Sequence, residues 1–263
     1  MFTLKEILKK TANSELTIEE AEKLIRLQVI VEIEGIAKID YKREERKGIP
    51  EIILAENKTI QDTADIAMKM FETNGRAIIS RCTPQHIEAL KNITTTISNA
   101  ICQINRKARI VIIKKKDYTT TNSGGRIGLL TAGTSDIPIA EEAKTIAEEM
   151  GCNVYTSYDI GVAGIHRLLE PLKNLVIKDV DVIIVVAGRE GALPSVVAGI
   201  VNIPIIAVPT SNSYGYGGKG TGTLMAMLQA CPLGIAVVNI DSGINAGAIA
   251  TLIANRTAKF RKT

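Results

Sequence analysis

Tryptophan is absent from this chain and phenylalanine occurs only three times. A core without large rings has to be filled by aliphatic side chains, which suits a sheet packed against helices. The four cysteines, Cys82, Cys102, Cys152 and Cys231, are far apart and form no CxxC pair. That argues against a zinc site or a disulfide framework and leaves each as a small buried apolar group or a reactive thiol. No apolar run approaches the length of a membrane span, and the first 17 residues alternate charged with apolar residues, lacking the apolar core of a signal peptide. A cytoplasmic protein is therefore expected. A strong charge excess is missing too: the net charge is +4, with Lys and Arg interleaved with acids, so neither a nucleic acid nor a membrane partner is demanded. The one basic cluster, Lys114-Lys115-Lys116, reads as a solvated strand end.

What the chain does have is a repeated strand, glycine turn and helix. Residues 182–199, VIIVVAGREGALPSVVAG, begin with an uninterrupted Val/Ile run of the kind buried on both faces of a parallel sheet. The run breaks at Ala187-Gly188, places Arg189 and Glu190 at the tip, and resumes as a small-residue helix. The same rhythm holds from residue 126 onward, with strands expected at 127–131, 153–157, 180–186, 204–208 and 235–238 and a helix after each. Alternation of this kind predicts a doubly wound, flavodoxin-like three-layer α/β domain with a parallel sheet.

Residues 1–120 read as a smaller α/β domain, joined through the stretch KKKDYTTTNSGG to a catalytic domain at 121–263. Helix is expected over residues 1 to about 28, with a capping-box pattern at Thr17-Ile18-Glu19-Glu20, and again over 59–73 and 84–91. Strands are expected at 51–55, 77–80 and 109–113, and His86 falls on a helix expected to face solvent.

Several turns could carry chemistry. Gly133-Thr134-Ser135-Asp136 precedes a helix with Pro138 in its first turn; free N–H groups there suit a phosphate or carboxylate, although ordinary capping explains the same residues. His166-Arg167 follows the second strand of the sheet, and Glu190 stands at the mouth of the third, with Gly191 and Ala192 leaving room for close approach. Residues 209–222 hold five glycines, two tyrosines and the single charge of Lys219, a composition suited to closing over a ligand. Cys231 follows a helix C-terminus, which does not acidify a thiol, and by spacing alone it ranks no higher than the other cysteines.

Together the segments AGTSDIPIAEEA, DIGVAGIHRLL, VVAGREGALPSVVAG, VPTS, the Cys-Pro element and AVVNIDSG resemble the LarB family, as does AKIDYKREERKGIPEIILAENKT in the first half. Those enzymes are pyridinium-3,5-biscarboxylic acid mononucleotide synthases of nickel-pincer cofactor biosynthesis, with a C-terminal fold similar to the PurE aminoimidazole ribonucleotide carboxylases and mutases. The resemblance implies a carboxylase and hydrolase acting on nicotinate adenine dinucleotide and CO2, with Cys231 as nucleophile, Glu190 as base and Asp136 as second choice. It implies binding of carboxylates or diphosphate by Ser135, His166, Arg167 and the Asp40-Tyr41-Lys42-Arg43 segment. Gly133, Thr134, Gly188, Gly191, Ala192, Ser211, Tyr214 and Gly215 complete the implied substrate site. Mg2+ is implied by the family alone, as is a homo-oligomer, an octamer among its forms. The sequence departs from the family at Ser213 and Lys219 in the glycine-rich loop, and Arg189 stands where Met is commoner. A PurE-type enzyme of purine synthesis and a non-catalytic nucleotide-binding module are the competing readings.

Overall fold

The computed structural model describes residues 4–26, 31–33, 37–40 and 43–261. The chain opens with α1 (Leu4–Ala12) and α2 (Ile18–Arg26). The single helical stretch expected there is two helices, parted at Ser14, which takes a left-handed φ of 62°. The capping box forms: Thr17 Oγ1 accepts the Glu20 N–H at 3.1 Å and Glu20 Oε2 accepts the Thr17 N–H at 2.9 Å. Next come β1 (Val31–Ile33) and β2 (Ala37–Ile39), an antiparallel pair, and the short α3 (Arg43–Lys47).

The rest of the first half is β3 (Ile52–Leu54), α4 (Ile60–Asn74), β4 (Arg76–Ser80), α5 (Pro84–Thr95), β5 (Ala100–Asn105) and β6 (Ile110–Lys115). Helix α4 is capped by Thr59, which accepts the Asp62 N–H, and closed by left-handed Gly75. The sheet runs β3-β4-β6-β5, parallel in its first pair and antiparallel elsewhere. Strand β5, missing from the sequence reading, is an edge strand whose Gln103 and Asn105 dilute its apolar signal. His86 is buried, not solvent-facing: it occupies the first turn of α5, where its Nδ1 accepts the Thr83 N–H at 3.3 Å and Thr83 Oγ1 accepts the His86 N–H at 3.3 Å as a capping box.

The second half continues with β7 (Arg126–Thr131), α6 (Ile137–Glu149), β8 (Asn153–Ser157), α7 (His166–Ile177), β9 (Val182–Ala187), α8 (Leu193–Ala198), β10 (Ile205–Pro209), α9 (Thr221–Leu228), β11 (Ile235–Val237) and α10 (Gly243–Arg261). Its five strands are all parallel in the order β11-β10-β9-β7-β8, the flavodoxin-like arrangement expected. One face of the sheet is covered by α6 and α10, through Ala140, Ala143, Ala246 and Ala250, and the other by α7, α8 and α9, through Leu168, Leu172, Leu193 and Met227. Every residue of β9 is buried, as its Val/Ile run requires.

The two sheets share a layer. Ile79, Val111 and Ile113 point into a core with α4 and α5, while Ile78, Ile110 and Ile112 pack on Ile146 of α6 and Met150 just past its end. The period of two in a strand lets one Ile-rich run serve both cores. A buried ion network reinforces this contact: Arg76 donates to both Glu149 and Glu44, and Lys114 Nζ lies 2.7 Å from Glu149 Oε1. No helix among the described residues is long and apolar enough to cross a membrane.

Candidate active site

Strands β7 and β9 are neighbours although β8 separates them in sequence. The connection after β7 runs to α6 on one face of the sheet and that after β9 to α8 on the other, so a crevice opens at their carboxyl ends. A cavity of ≈ 460 Å³ occupies that crevice. Gly133, Ser135 and Asp136 enter it after β7, Val162 and Ala163 after β8, Gly188, Arg189, Glu190 and Ala192 after β9, and Asn212 and Tyr214 after β10.

Asp136 ties these loops together. Its Oδ2 accepts the Gly133 N–H at 2.9 Å and its Oδ1 accepts the Thr210 hydroxyl at 2.8 Å. Burial pushes its pKa above the usual carboxylate range, while the bonds from Thr210 and the Gly133 backbone pull the other way. Gly188 makes room for the arrangement, since a Cβ there would lie 2.8 Å from Thr210 Oγ1. Asn212 closes it by donating to the Ser135 carbonyl at 2.8 Å.

Glu190 is exposed at the cavity wall and has no hydrogen-bond or ion-pair partner among the described residues. Beside it Arg189, at a left-handed φ of 53°, stacks its guanidinium 3.8 Å from the centre of the Tyr214 ring and donates to the Tyr214 hydroxyl. This pair anchors Tyr214 of the glycine-rich loop at the cavity wall. Ser213 holds the loop's shape, accepting the Gly220 N–H at 3.0 Å and donating to the Gly217 carbonyl at 3.2 Å.

The cavity thus collects Gly133, Ser135, Asp136, Gly188, Glu190, Ala192 and Tyr214 from the residues anticipated in the sequence. Others sit elsewhere. Thr134 is exposed in the turn before α6, and Gly215 is in the loop with open space around it. His166 and Arg167 are exposed at the start of α7, and Arg167 pairs with Asp159 at 3.1 Å. Ser211 spends its N–H on Asp241 Oδ1. Gly191 is buried against α9 and is not part of the cavity wall; its φ of 65°, and the 3.0 Å that a Cβ would leave to Thr223, give it a packing reason to be glycine. Cys231 is exposed in the turn after α9, off the cavity wall. Arg43 lines a different groove between the two halves, and Tyr41 lies outside the described residues. Asn212, Val162 and Ala163 were not singled out from sequence. Their only signal was position just past a strand end.

Among the described residues no group of three or more His, Cys, Asp or Glu side chains converges as a metal site. The side chains present do not by themselves fit a Mg2+ cage, and no step below is routed through that ion.

Both halves of the chain have counterparts among known proteins. Residues 126–262 match the family model described as AIR carboxylase, and residues 31–116 match the LarB/PurE-like N-terminal domain. An uncharacterised protein of Methanocaldococcus jannaschii is 46% identical over 253 residues, covering 95% of this chain and 96% of its own. N5-carboxyaminoimidazole ribonucleotide mutases of Thermotoga maritima and Methanocaldococcus jannaschii are 33% and 34% identical, spanning 49% and 47% of this chain and 74% and 75% of theirs. Their similarity is confined to about half of this chain, whereas the two family models account for both halves. With a LarB/PurE-like N-terminal domain followed by an AIR carboxylase domain, the chain belongs to the LarB family, and is an enzyme of the PurE/LarB carboxylase and mutase type.

Proposed function

We propose that this enzyme converts nicotinate adenine dinucleotide, CO2 and water into pyridinium-3,5-biscarboxylic acid mononucleotide and AMP, a step of nickel-pincer cofactor biosynthesis. The observation that carries the reading is the pairing of the two domains: the mutases match only about half of this chain, while its first half matches the LarB/PurE-like N-terminal domain.

A pyridinium carbon is electrophilic and cannot attack CO2. A thiolate from Cys231 adding to the ring carbon next to the reacting one converts the ring to a neutral, enamine-like nucleophile. The ring then forms its new carbon–carbon bond to CO2, Glu190 takes the proton from that carbon, and the returning electron pair expels the thiolate and restores the aromatic ring. Dividing the reaction in this way is what covalent catalysis offers. Glu190 suits the base because it faces the cavity without a partner; Asp136 suits it less, since its carboxylate already accepts from Gly133 and Thr210. Ala132, Val162, Ala163 and Leu193 give the cavity an apolar wall suited to CO2 and a flat ring. Water cleaves the diphosphate to release AMP.

Cys231 has to reach a ring held in this cavity, and its exposure leaves it free to do so by closure of the glycine-rich loop or from a second copy of the chain. A PurE-type reaction on an imidazole ribonucleotide is the second reading, favoured by the mutase relatives; it has no use for Cys231.

The test is incubation of the protein with nicotinate adenine dinucleotide, bicarbonate and Mg2+, followed by mass spectrometry. AMP together with a mononucleotide heavier by one carboxyl group is the expected result. Turnover of carboxyaminoimidazole ribonucleotide with neither of those products would sink the proposal in favour of the second reading.

A further inference from the structure

Between the two halves of the chain lies a second concave region that the chemistry above does not use. It consists of two cavities, ≈ 500 Å³ and ≈ 190 Å³, which share Arg81 and Glu142 in their walls. The larger is walled by Ile49, Pro50, Ile52 and Leu54 from the first half and by Ile244 and Ala248 of α10. Leu54 is 48% exposed there, an apolar side chain with nothing covering it. The smaller is rimmed by the exposed cations Lys107 and Arg109, with Arg81 already paired to Glu56 at 2.7 Å and Asp241 beside it.

Two polar atoms in these walls are buried with no hydrogen-bond partner. One is Glu142 Oε2, on a side chain in a residue only 6% exposed, and the other is Arg43 Nε. Burial pushes the Glu142 pKa up to about 7, opposed by the nearby charges of Arg81 and Arg109. Near neutrality its carboxyl can therefore donate or accept. A buried polar atom left unpaired costs roughly 1–3 kcal/mol, a cost that a bound group with complementary polarity relieves.

Two exposed cations at one end, an apolar slot at the other and two unsatisfied polar atoms bordering the slot suit a nucleotide, with an anionic group, a flat ring and a polar ring edge. We propose that this groove between the domains binds a purine nucleoside monophosphate of the adenylate class. Its phosphate lies at Lys107 and Arg109, and its base lies along Ile52, Leu54 and Ile244 with its polar edge toward Glu142 and Arg43. Asp241 ties the groove to the glycine-rich loop, since its Oδ1 accepts the Ser211 N–H and its carbonyl accepts from Arg81. The occupant is either the adenylate half of a dinucleotide substrate, which rests on the function proposed above, or a separate adenylate acting on the enzyme.

The experiment measures AMP binding to the full chain by calorimetry, with ribose 5-phosphate as the control and 8-azido-AMP crosslinking to locate the base. Saturable AMP binding is expected, at least tenfold weaker in the Lys107→Ala/Arg109→Ala double variant, with crosslinks on residues 49–54 or 244–248. Both substituted side chains are exposed, so the variant should fold, and an unchanged melting temperature confirms it. Ribose 5-phosphate binding as tightly as AMP, crosslinks confined to the first cavity, or no binding at all would each overturn the proposal. The two sources separate in kinetics: AMP competitive with the dinucleotide marks its adenylate half, and AMP changing kcat without competition marks a separate effector. Because binding is read directly, a failed turnover assay leaves this result standing.

Discussion

Arg76 of β4 reaches across to the last residue of α6, donating to the Glu149 carbonyl at 2.6 Å and to its carboxylate at 3.2 Å. The same guanidinium holds both oxygens of Glu44, so a single side chain 3% exposed connects α3, the N-terminal sheet and the catalytic domain.

Removing one partner of such a buried network strands the other charge. Arg76→Ala should lower unfolding free energy by about 3–5 kcal/mol, and Glu149→Ala should do similar damage by stranding the buried Lys114 and leaving Arg76 with Glu44 alone. Denaturant unfolding measures this. A loss below 1 kcal/mol for both variants would show that the network contributes little.

Glu142 makes a pH-dependent contribution with a definite sign. Its carboxyl titrates near 7 when folded against an ordinary value of 4.5, so the folded state holds the proton more tightly. Its contribution to stability is present below about pH 4.5 and is lost as the pH rises through about 7. Arg81, Arg109 and the Ile244 backbone favour the charged form there, and Asp241 opposes it. Glu142→Gln should therefore raise the melting temperature at pH 8 while changing it little at pH 5, with a gain of roughly 1–3 kcal/mol at the higher pH. Equal effects at both pH values would refute this account.

Cys231 lies off the cavity wall, and Leu228 and Leu233 near it are 66% and 93% exposed. On the proposed mechanism, uncovered leucines beside the Cys231 thiol point to its use against a second copy. Cys231→Ala and Glu190→Gln should each be inactive alone. Denatured together and refolded, they should recover roughly a quarter of wild-type activity if each site draws these residues from two copies. No recovery would place both residues within one chain's site.

Gly191→Ala should cost about 1–3 kcal/mol, combining a left-handed φ with a Cβ 3.0 Å from Thr223 Cγ2 and 3.1 Å from Met227 Cγ. Thermal unfolding of the variant reads this directly, and a neutral result would mean that α9 shifts freely. Because the same turn carries Arg189 and Glu190 into the cavity, activity should fall along with stability.

The doubly wound half was legible in the sequence because its signals are local. Val182–Ala187 suits a strand buried on both faces, and the glycine turns at 133, 161 and 188 mark where each strand hands over to a helix. Ser135, Asp136, Gly188 and Glu190 were found for the same reason: once strand ends are known, the loops at the carboxyl edge follow. The edge strand β5 was not legible, since Ala100, Cys102 and Ile104 alternate with polar residues too weakly to announce a strand without β6 beside them.

What only the tertiary structure decided depends on partners far away in the chain. Gly191 has room for nothing larger because α9 packs on it, His86 is buried because α5 lies against the N-terminal core, and Arg43 belongs to a groove that exists only where two domains meet. Hydrophobic periodicity reports which face of an element is covered. It carries no record of what covers it, so the cavity at the strand ends was readable from sequence while the separation of Cys231 from it, and the groove around Glu142, emerged only when the chain was packed.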